Sequence, residues 1–356
     1  MKTKIHTPGV LLILLLVLTA CQSTTRTPVS TPGSPPSEPA ASTTVPTEIF
    51  HPATVTAVTS TTEPETVAGQ IAYGHMEAIS EGIGPRAAGK TEEAQTAQYI
   101  VSQFERLGYV SELHPFSTTV EEKVINSANV IALKPGESPR EIIVGAHYDS
   151  VEIGKGADDN ASGVAVILEV AERIRNQDTP YTIRFILFGA EEVGLQGSQY
   201  YAAQMTGEQI QNTVAMINLD SISAGDYAYI YGDEGERGGI RDWALDFASK
   251  NNLSLQTQLG ENPKYPPGTT GDWSDHAPFK AVGIPYTYLE STNWTLGDKD
   301  GYTQVSTEYG ADGEIWHTEY DTLQYIDSTF PGRIQERLNL FVTMLEAILT
   351  EFEPVR

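Results

Sequence analysis

Alternating strand-like and helical segments constrain the fold of this chain more than any other feature of its sequence. Short runs of apolar and β-branched residues predict buried strands, and longer stretches with apolar residues at helical spacing predict helices. The strand-like runs cover residues 128–133, 141–147, 181–189, 214–220, 227–231 and 284–290. The helical patterns cover residues 67–80, 91–107, 161–174, 197–205, 240–249 and 329–352. This alternation predicts an α/β fold, with a mostly parallel, mixed β-sheet sandwiched between helices.

An eight-fold barrel is the competing architecture, because it is built from the same alternation. The sequence offers too few strands and helices for a barrel, and the strand-like runs are irregularly spaced. We therefore expect one folded domain over residues 67–356.

The segment at the start of the chain has the features of an export signal. Lys2 and Lys4 precede an apolar run of 11 residues, 10–20, whereas a membrane-spanning helix needs roughly 20. The run ends in small residues before Cys21, the single cysteine of the chain, and this ending resembles the bacterial lipobox. The alternative is an ordinary signal with a chance cysteine. We predict a lipoprotein signal over residues 1–21, with Cys21 lipidated and serving as the membrane anchor.

Residues 22–66 predict a disordered stalk. Ser, Thr and Pro occupy 27 of these 45 positions, and such a segment buries too little apolar surface to offset the entropy of ordering.

Charge and cysteine content exclude several kinds of function. The chain has 22 Lys and Arg against 47 Asp and Glu, a formal net charge of -25. This excess of acid argues against a nucleic-acid partner and against docking on anionic lipid through a basic surface. With one cysteine, the chain contains no intramolecular disulfide and no cysteine-built zinc or iron–sulfur site.

Histidines and acids cluster where the predicted strands end, which is where open α/β sheets build their sites. His147 ends one strand-like run, and Asp149 lies two residues later, on the same side of an extended chain. Such a pair is also typical of a structural histidine. Asp158 and Asp159 precede Asn160 at the start of a helical pattern. The alternative interpretation of this second cluster is a helix cap.

Three further clusters follow the same rule. Glu191 and Glu192 follow the strand-like run 181–189 after Ala190, where burying adjacent acids is costly unless they have partners. Asp220 ends the next apolar run, and His317 lies four residues before Asp321. Histidines and carboxylates without cysteine predict a site for zinc, manganese or cobalt. Their number exceeds what one ion needs, so two ions sharing a bridging carboxylate are expected.

The order of these clusters resembles that of the co-catalytic di-zinc metallopeptidases. These include secreted bacterial leucine-type aminopeptidases, glutamate carboxypeptidase II and, more distantly, glutaminyl cyclases. The resemblance rests on His-x-Asp at 147–149, Gly-Ala-x-Asp-Asn-x-x-Gly at 156–163, Glu-Glu at 191–192, Asn-Leu-Asp at 218–220 and His-Thr-x-x-Asp-Thr at 317–322. Gly-Pro-Arg at 84–86 and Ser-Asp-His at 274–276 are further, weaker matches. The resemblance covers most of the folded part of the chain and implies a zinc-aminopeptidase/phosphorylase-like fold with one catalytic domain.

The resemblance also implies roles for individual residues. His147 and Asp220 would bind one zinc ion, Glu192 and His317 would bind the other, and Asp159 would bridge both. Glu191 would be the general base, passing a proton from the attacking water to the leaving amine. Asp149 and Asp321 would orient the two histidines. Some members stabilise the oxyanion with a tyrosine near the last histidine, and the candidates are Tyr302, Tyr309 and Tyr320. Trp316, directly before His317, is a point of likeness to the cyclases.

A zinc-dependent exopeptidase, of the aminopeptidase type, is the function that this resemblance favours. A glutaminyl cyclase shares the fold but typically uses one zinc ion. A carboxypeptidase or deacylase shares the metal core, and an arginine in the cavity, for which Arg184, Arg237 and Arg241 are candidates, would distinguish it. A non-catalytic binding lipoprotein usually lacks a ligand or the base, and none is missing here. We expect peptide substrates, a monomer, and an extracytoplasmic protein that is lipid-anchored to the cell envelope, or shed or secreted from it.

Overall fold

The computed structural model describes residues 67–353. The predicted signal, residues 1–21, and the predicted stalk, residues 22–66, lie outside the described residues. The strands are β1 Val110–Val120, β2 Lys123–Lys134, β3 Ser138–His147, β4 Tyr181–Phe188, β5 Thr213–Leu219, β6 Tyr227–Gly232, β7 Leu255–Gln256 and β8 Tyr286–Thr292. The helices are α1 Gln70–Glu77, α2 Thr91–Arg106, α3 Gly163–Ile174, α4 Gln196–Gln204, α5 Gly207–Asn212, α6 Gly239–Lys250, α7 His276–Ala281, α8 Leu323–Thr329 and α9 Arg333–Glu351.

All eight of these strands form one sheet in the order β1-β2-β4-β3-β5-β8-β6-β7. The central neighbours β4, β3, β5 and β8 run parallel. The pairs β1–β2, β2–β4 and β6–β8 are antiparallel. The predicted mixed, mostly parallel sheet is therefore confirmed. Because the four central strands point the same way, their carboxyl ends meet at one edge of the sheet, and residues that follow them come together there.

The sheet is covered on both faces because its central strands are apolar on both sides. In β3, Ile142 and Val144 pack in the larger core with α1, α3 and α9, whereas Ile143 packs in a second core with α4 and α7. Successive side chains of a strand point to opposite faces, which explains this division. The continuous apolar run in the sequence is thus the mark of a strand buried from both sides.

The two outer strands differ from the central ones. β1 is an edge strand whose residues are mostly exposed or half-buried, and Pro115 lies in its middle, opposite Ala128 of β2. At the other edge, β7 has 2 residues. Among residues 67–353, no helix combines the length and the apolar character that a membrane crossing requires.

Candidate metal centre

The predicted metal ligands meet at the carboxyl ends of the central strands. His147 is the last residue of β3, and Asp220 comes directly after β5. Glu191 and Glu192 follow β4, and His317 lies in the loop before α8. Asp159 lies in the turn Ala157–Ser162 that leads into α3. His147, Asp159, Glu191, Asp220 and His317 all line one cavity of about 290 Å³.

Two groups of possible ligands share Asp159. In the first group, His147 Nε2 lies 3.0 Å from Asp159 Oδ1 and 3.2 Å from Asp220 Oδ1. In the second, His317 Nε2 lies 3.1 Å from Asp159 Oδ2 and 2.9 Å from Glu192 Oε2. Within each group the three candidate ligand atoms lie within 4.8 Å of one another. The two oxygens of Asp159 therefore face different histidines, which is the arrangement of a bridging carboxylate.

The chemistry of these donors fits divalent metal ions. Four carboxylates lie close together and are largely buried, which costs free energy without a compensating cation. No Lys or Arg among residues 67–353 forms an ion pair with any of them, and their partners in ion pairs are the two histidines. The four acids are Asp159, Glu191, Glu192 and Asp220. Nitrogen and oxygen donors in sets of three suit zinc, with room left for water or substrate.

The electrostatics of the site follow from burial. Burial raises the pKa of Glu191 well above its ordinary value, and the nearby Asp275 and Asp220 raise it further. Burial also raises the pKa of Glu192 to about 7. Hydrogen bonds to Asp159 and Glu192 raise the pKa of the His317 imidazole to about 12. A divalent cation would compete with these protons for the same nitrogen and oxygen atoms.

Asp149 contacts both His147 and the glutamate pair. Its Oδ1 lies 3.7 Å from His147 Nδ1, and its backbone oxygen lies 3.2 Å from the same nitrogen. Its carboxylate accepts hydrogen bonds from the backbone N–H groups of Glu191, at 2.9 Å, and Glu192, at 3.2 Å. One buried acid thus fixes the first histidine and the segment that carries the proposed base.

The structure places Asp321 against the turn that carries Asp159 rather than against the imidazole of His317. Its carboxylate accepts hydrogen bonds from the backbone N–H of Asp158, at 2.6 Å, and of Asp159, at 3.2 Å. Among the described residues, no hydrogen bond joins Asp321 to His317. Asp321 therefore holds the turn that presents Asp159, a contact that sequence spacing did not reveal.

The adjacent residues Asp158 and Asp159 lie in two different environments. Asp158 faces away from the ligand groups, and its Oδ1 accepts hydrogen bonds from Ser223 N and Ala224 N at 2.7 and 2.9 Å. Its Oδ2 accepts a hydrogen bond from Gln304 Nε2 at 2.6 Å. The helix-cap interpretation applies to Asn160, whose Oδ1 accepts a hydrogen bond from the N–H of Gly163 at 2.9 Å.

Two supporting side chains come from the weaker sequence motifs. Ser274 Oγ donates to Asp220 Oδ2 at 2.6 Å and fixes that carboxylate. Arg86 is fully buried, and its guanidinium donates to the backbone oxygens of Tyr148, Lys155 and Gly156 at 2.6, 2.8 and 2.7 Å. Arg86 therefore fastens the loop between β3 and the Asp159 turn.

Three non-glycine residues at the site have left-handed backbone conformations. Ala190, Ser221 and His317 have φ angles of 55°, 49° and 55°. Ala190 precedes Glu191, and Ser221 follows Asp220. Such conformations are unfavourable for residues with a side chain and occur often at functional sites.

Aromatic side chains form much of the remaining cavity wall. Of the three candidate tyrosines, Tyr302 lines the cavity and packs against Trp316, with ring centroids 5.5 Å apart. Tyr309 instead packs on Phe330, and Tyr320 packs on Tyr325. His276 is fully buried between Tyr286 and Tyr288, where burial lowers its pKa to about 4, so it is a neutral structural residue.

Comparison with known proteins agrees with this geometry. The profile described as "Peptidase family M28" matches residues 129–342. The alkaline phosphatase isozyme conversion protein of Escherichia coli is 35% identical over 281 residues, covering 71% of this chain and 81% of that protein. Aminopeptidase YwaD of Bacillus subtilis is 31% identical, covering 64% of this chain and 46% of that protein. The probable lipoprotein aminopeptidase LpqL of Mycobacterium tuberculosis is 28% identical, covering 71% of this chain and 54% of that protein. The chain thus spans about half the length of these two aminopeptidases.

Solved structures share the fold. BSAP, a zinc aminopeptidase from Bacillus subtilis, superposes with a TM-score of 0.64 at 19% identity, covering 81% of this chain and 97% of that one. Glutaminyl cyclase of Porphyromonas gingivalis superposes with a TM-score of 0.60 at 21% identity, covering 80% of this chain and 98% of that one. The expected zinc-metallopeptidase family and its fold are confirmed. Since the family profile covers more than half of the 356 residues, the chain belongs to peptidase family M28.

Proposed function

We propose that this chain is an aminopeptidase that hydrolyses N-terminal residues from peptides with the help of two zinc ions. The observation that carries the proposal is the pair of ligand groups sharing Asp159, with Glu191 in the same cavity. His147, Asp159 and Asp220 would hold one ion, and Asp159, Glu192 and His317 the other. Manganese or cobalt would suit the same donors. Bound zinc would supply Lewis-acid polarisation of the scissile carbonyl and would lower the pKa of water at the site.

Glu191 is the proposed general base. Its carboxylate lines the cavity, and Oε2 lies 3.9 Å from His147 Nε2. Its raised pKa suits a group that must accept a proton from the attacking water and then deliver it to the leaving amine. Asp149 fixes the backbone of Glu191, so the carboxylate is presented from a rigid segment.

The charge of the cavity favours the amino end of a peptide. Asp220, Glu290 and Asp300 line it together with the other acids, and none of its lining residues is Lys or Arg. An N-terminal amine is a cation and is attracted to such a cavity, whereas a C-terminal carboxylate is repelled. The candidate arginines for a carboxypeptidase are engaged elsewhere: Arg184 with Glu141, Arg237 with Asp233, and Arg241 with Asp242.

The remaining sequence expectations belong to the same proposal. A lipid anchor at Cys21 and an extracytoplasmic location are supported by the description of LpqL as a probable lipoprotein. A monomeric state remains part of the proposal, because one chain supplies every ligand.

The test uses the purified full-length protein. We expect about two zinc ions per chain by mass spectrometry and release of the first residue from free-amine aminoacyl amides, abolished by a chelator. Cleavage of N-blocked peptides would indicate a carboxypeptidase or deacylase, and cyclisation of N-terminal glutaminyl peptides with one ion would indicate a cyclase. Two bound ions without turnover would indicate a binding protein.

A single substitution tests the base. We expect Glu191→Gln to retain zinc and fold but to lower kcat by about 10²–10⁴-fold, the usual contribution of general acid–base catalysis. The matched control is Glu351→Gln, at an exposed position in α9, which should retain the normal rate. Near-normal turnover by Glu191→Gln would exclude the proposed base.

A further inference from the structure

Glu290 lies beside the metal centre but belongs to neither ligand group. Leu219 of β5 pairs with Leu289 of β8, and the N–H of Asp220 donates to the Leu289 oxygen at 3.1 Å. Glu290 is therefore the neighbour of Asp220 on the next strand, about 5 Å away between backbones. Side chains alternate along β8, so Leu289 packs in the larger core while Tyr288 and Glu290 line the cavity.

The carboxylate of Glu290 is buried without a cation. The side chain is 1% exposed. It accepts hydrogen bonds from the hydroxyls of Tyr231 and Tyr288 at 2.8 and 3.2 Å. Trp294 Nε1 donates to the Tyr231 hydroxyl at 2.6 Å and so directs that hydroxyl. No Lys, Arg or His within residues 67–353 forms an ion pair with Glu290.

This environment makes Glu290 a strong acceptor for an incoming cation. Two neutral hydroxyls do not offset the cost of burying a full charge. Burial accordingly raises the pKa of Glu290 to about 8. A cation that enters the cavity would stabilise the carboxylate and displace its proton, whereas an aliphatic group would leave the acid without a charged partner.

The wall next to Glu290 is aromatic. The ring of Tyr265 packs edge-on against Trp273 and Trp294, with centroids 5.5 and 5.6 Å apart. Trp273 is 40% exposed, so it marks the solvent side, whereas Glu290 lies at the buried side. A cavity with aromatic walls and an acid at its inner end matches a side chain with an apolar stem and a cationic head.

We propose that Glu290 is a specificity-determining residue that selects lysine or arginine as the N-terminal residue of the substrate. The inference rests on the proposed aminopeptidase function and names its substrate class. The α-amine would lie near the metal centre, and the side chain would extend along the aromatic wall to Glu290. An N-terminal Asp or Glu would be excluded, because its charge would face a buried carboxylate.

The main test compares kcat/KM for arginyl, lysyl, leucyl and glutamyl amides. We expect the wild type to prefer arginine and lysine to leucine by at least about tenfold. Glu290→Gln removes the charge and keeps one acceptor oxygen for the tyrosine hydroxyls. It should lose at least about tenfold in kcat/KM on arginyl and lysyl amides while leucyl amides change little. The control Asp298→Asn removes an exposed acid outside the cavity and should retain the wild-type preference.

Two outcomes would overturn this assignment. An equal loss on leucyl and arginyl amides in Glu290→Gln would show that Glu290 holds the α-amine rather than the side chain. A wild type without preference for basic residues would also contradict it. The conservative variant Glu290→Asp retains the charge and should keep part of the preference for basic residues. If Glu290 had only a structural role, Glu290→Asp and Glu290→Gln would show the same preference.

A binding measurement separates this inference from the proposed function. Calorimetry with free arginine and free norleucine should show arginine binding at least about tenfold tighter to the wild type, a difference that Glu290→Gln abolishes. If no free-amine substrate is cleaved but this preference remains, the aminopeptidase proposal fails and the assignment of Glu290 stands. Cleavage without any preference for arginine, in rate or in binding, would overturn the assignment alone.

Discussion

At Asp159, one carboxylate faces two histidines from different parts of the chain. Its two oxygens lie 3.0 and 3.1 Å from the Nε2 atoms of His147 and His317. Each oxygen therefore faces a different histidine. The carboxylate of Asp321 holds the backbone of this turn through hydrogen bonds from the N–H groups of Asp158 and Asp159. As the proposed bridging ligand, Asp159 belongs to both candidate ligand groups, so its loss should affect both.

Asp159→Asn should weaken both metal sites. We expect zinc content to fall from about two ions to less than one per chain, because an amide offers one good acceptor where the carboxylate offers two. Mass spectrometry of the purified protein measures the loss. Loss of a single ion would show that Asp159 is a terminal ligand. Asp158→Asn is the matched comparison: it should retain both ions and instead lower the melting temperature, because Asp158 bonds within the core.

Residue chemistry indicated which histidines and acids come together at the site, but not which side chains hold them in place. Histidines and acids at strand ends stand out against apolar runs, and the structure brings His147, Asp159, Glu192, Asp220 and His317 together. Glu290 also ends a strand-like run, 284–290, but it has no clustered partner in the sequence. Glu290 and Tyr288 lie on the face of β8 that lines the cavity. The sequence of a single strand does not specify which of its two faces will do so.

Among the helices, the contact between α1 and α2 contains a buried histidine. His75 Nδ1 lies 2.6 Å from the Tyr99 hydroxyl, far along the chain from the metal ligands. Burial lowers the pKa of His75 to about 4, with a smaller contribution from Arg106. In the unfolded chain a histidine has a pKa of about 6.5.

The free energy of unfolding should therefore decrease as the pH is lowered from about 6.5 to about 4, because in this range the unfolded state binds a proton that the folded state does not. Above it both states are neutral at His75, and below it both are protonated. His75→Gln should flatten the slope of unfolding free energy against pH by at most about 1.4 kcal/mol per unit. Denaturant titrations of metal-free protein at pH 4.5, 5.5 and 7 measure it. An unchanged slope would place the titration elsewhere.

Boundaries of elements were harder to predict than their existence. The pattern over residues 329–352 predicts one helix, but the structure has α8 ending at Thr329 and α9 beginning at Arg333. Pro331 disfavours helical geometry in the residue before it, and Gly332 adopts a φ of 84°. β1 has no apolar run because both of its faces are partly exposed, so hydrophobicity alone did not predict that strand.

Across the whole molecule, the proposed metal ligands come from segments that are distant in sequence. The first, His147, and the last, His317, are separated by much of the folded domain. Ions that bind the folded state and not the unfolded chain stabilise the folded state by mass action. The metal centre is therefore expected to contribute to stability as well as to catalysis.

Chelation should lower the melting temperature by several degrees. At a free-ion concentration of 100 times Kd, one site contributes about 2.7 kcal/mol. Differential scanning calorimetry of metal-free and zinc-loaded protein measures the shift, and zinc should restore it. Glu191→Gln, which lacks the base but no ligand, should show the same shift as the wild type. Equal melting temperatures with and without zinc would contradict a centre that joins these segments.

The two edge strands of the sheet affect how copies of the protein can associate at high concentration. A sheet with a long regular edge is a template on which another copy can add its own strand and begin a fibre. Pro115 removes one backbone donor in the middle of β1, and β7 offers 2 residues. Within the described residues, neither edge of the sheet offers a long, uninterrupted row of backbone donors and acceptors. We therefore expect concentrated protein not to form fibres by edge-to-edge pairing of its sheets.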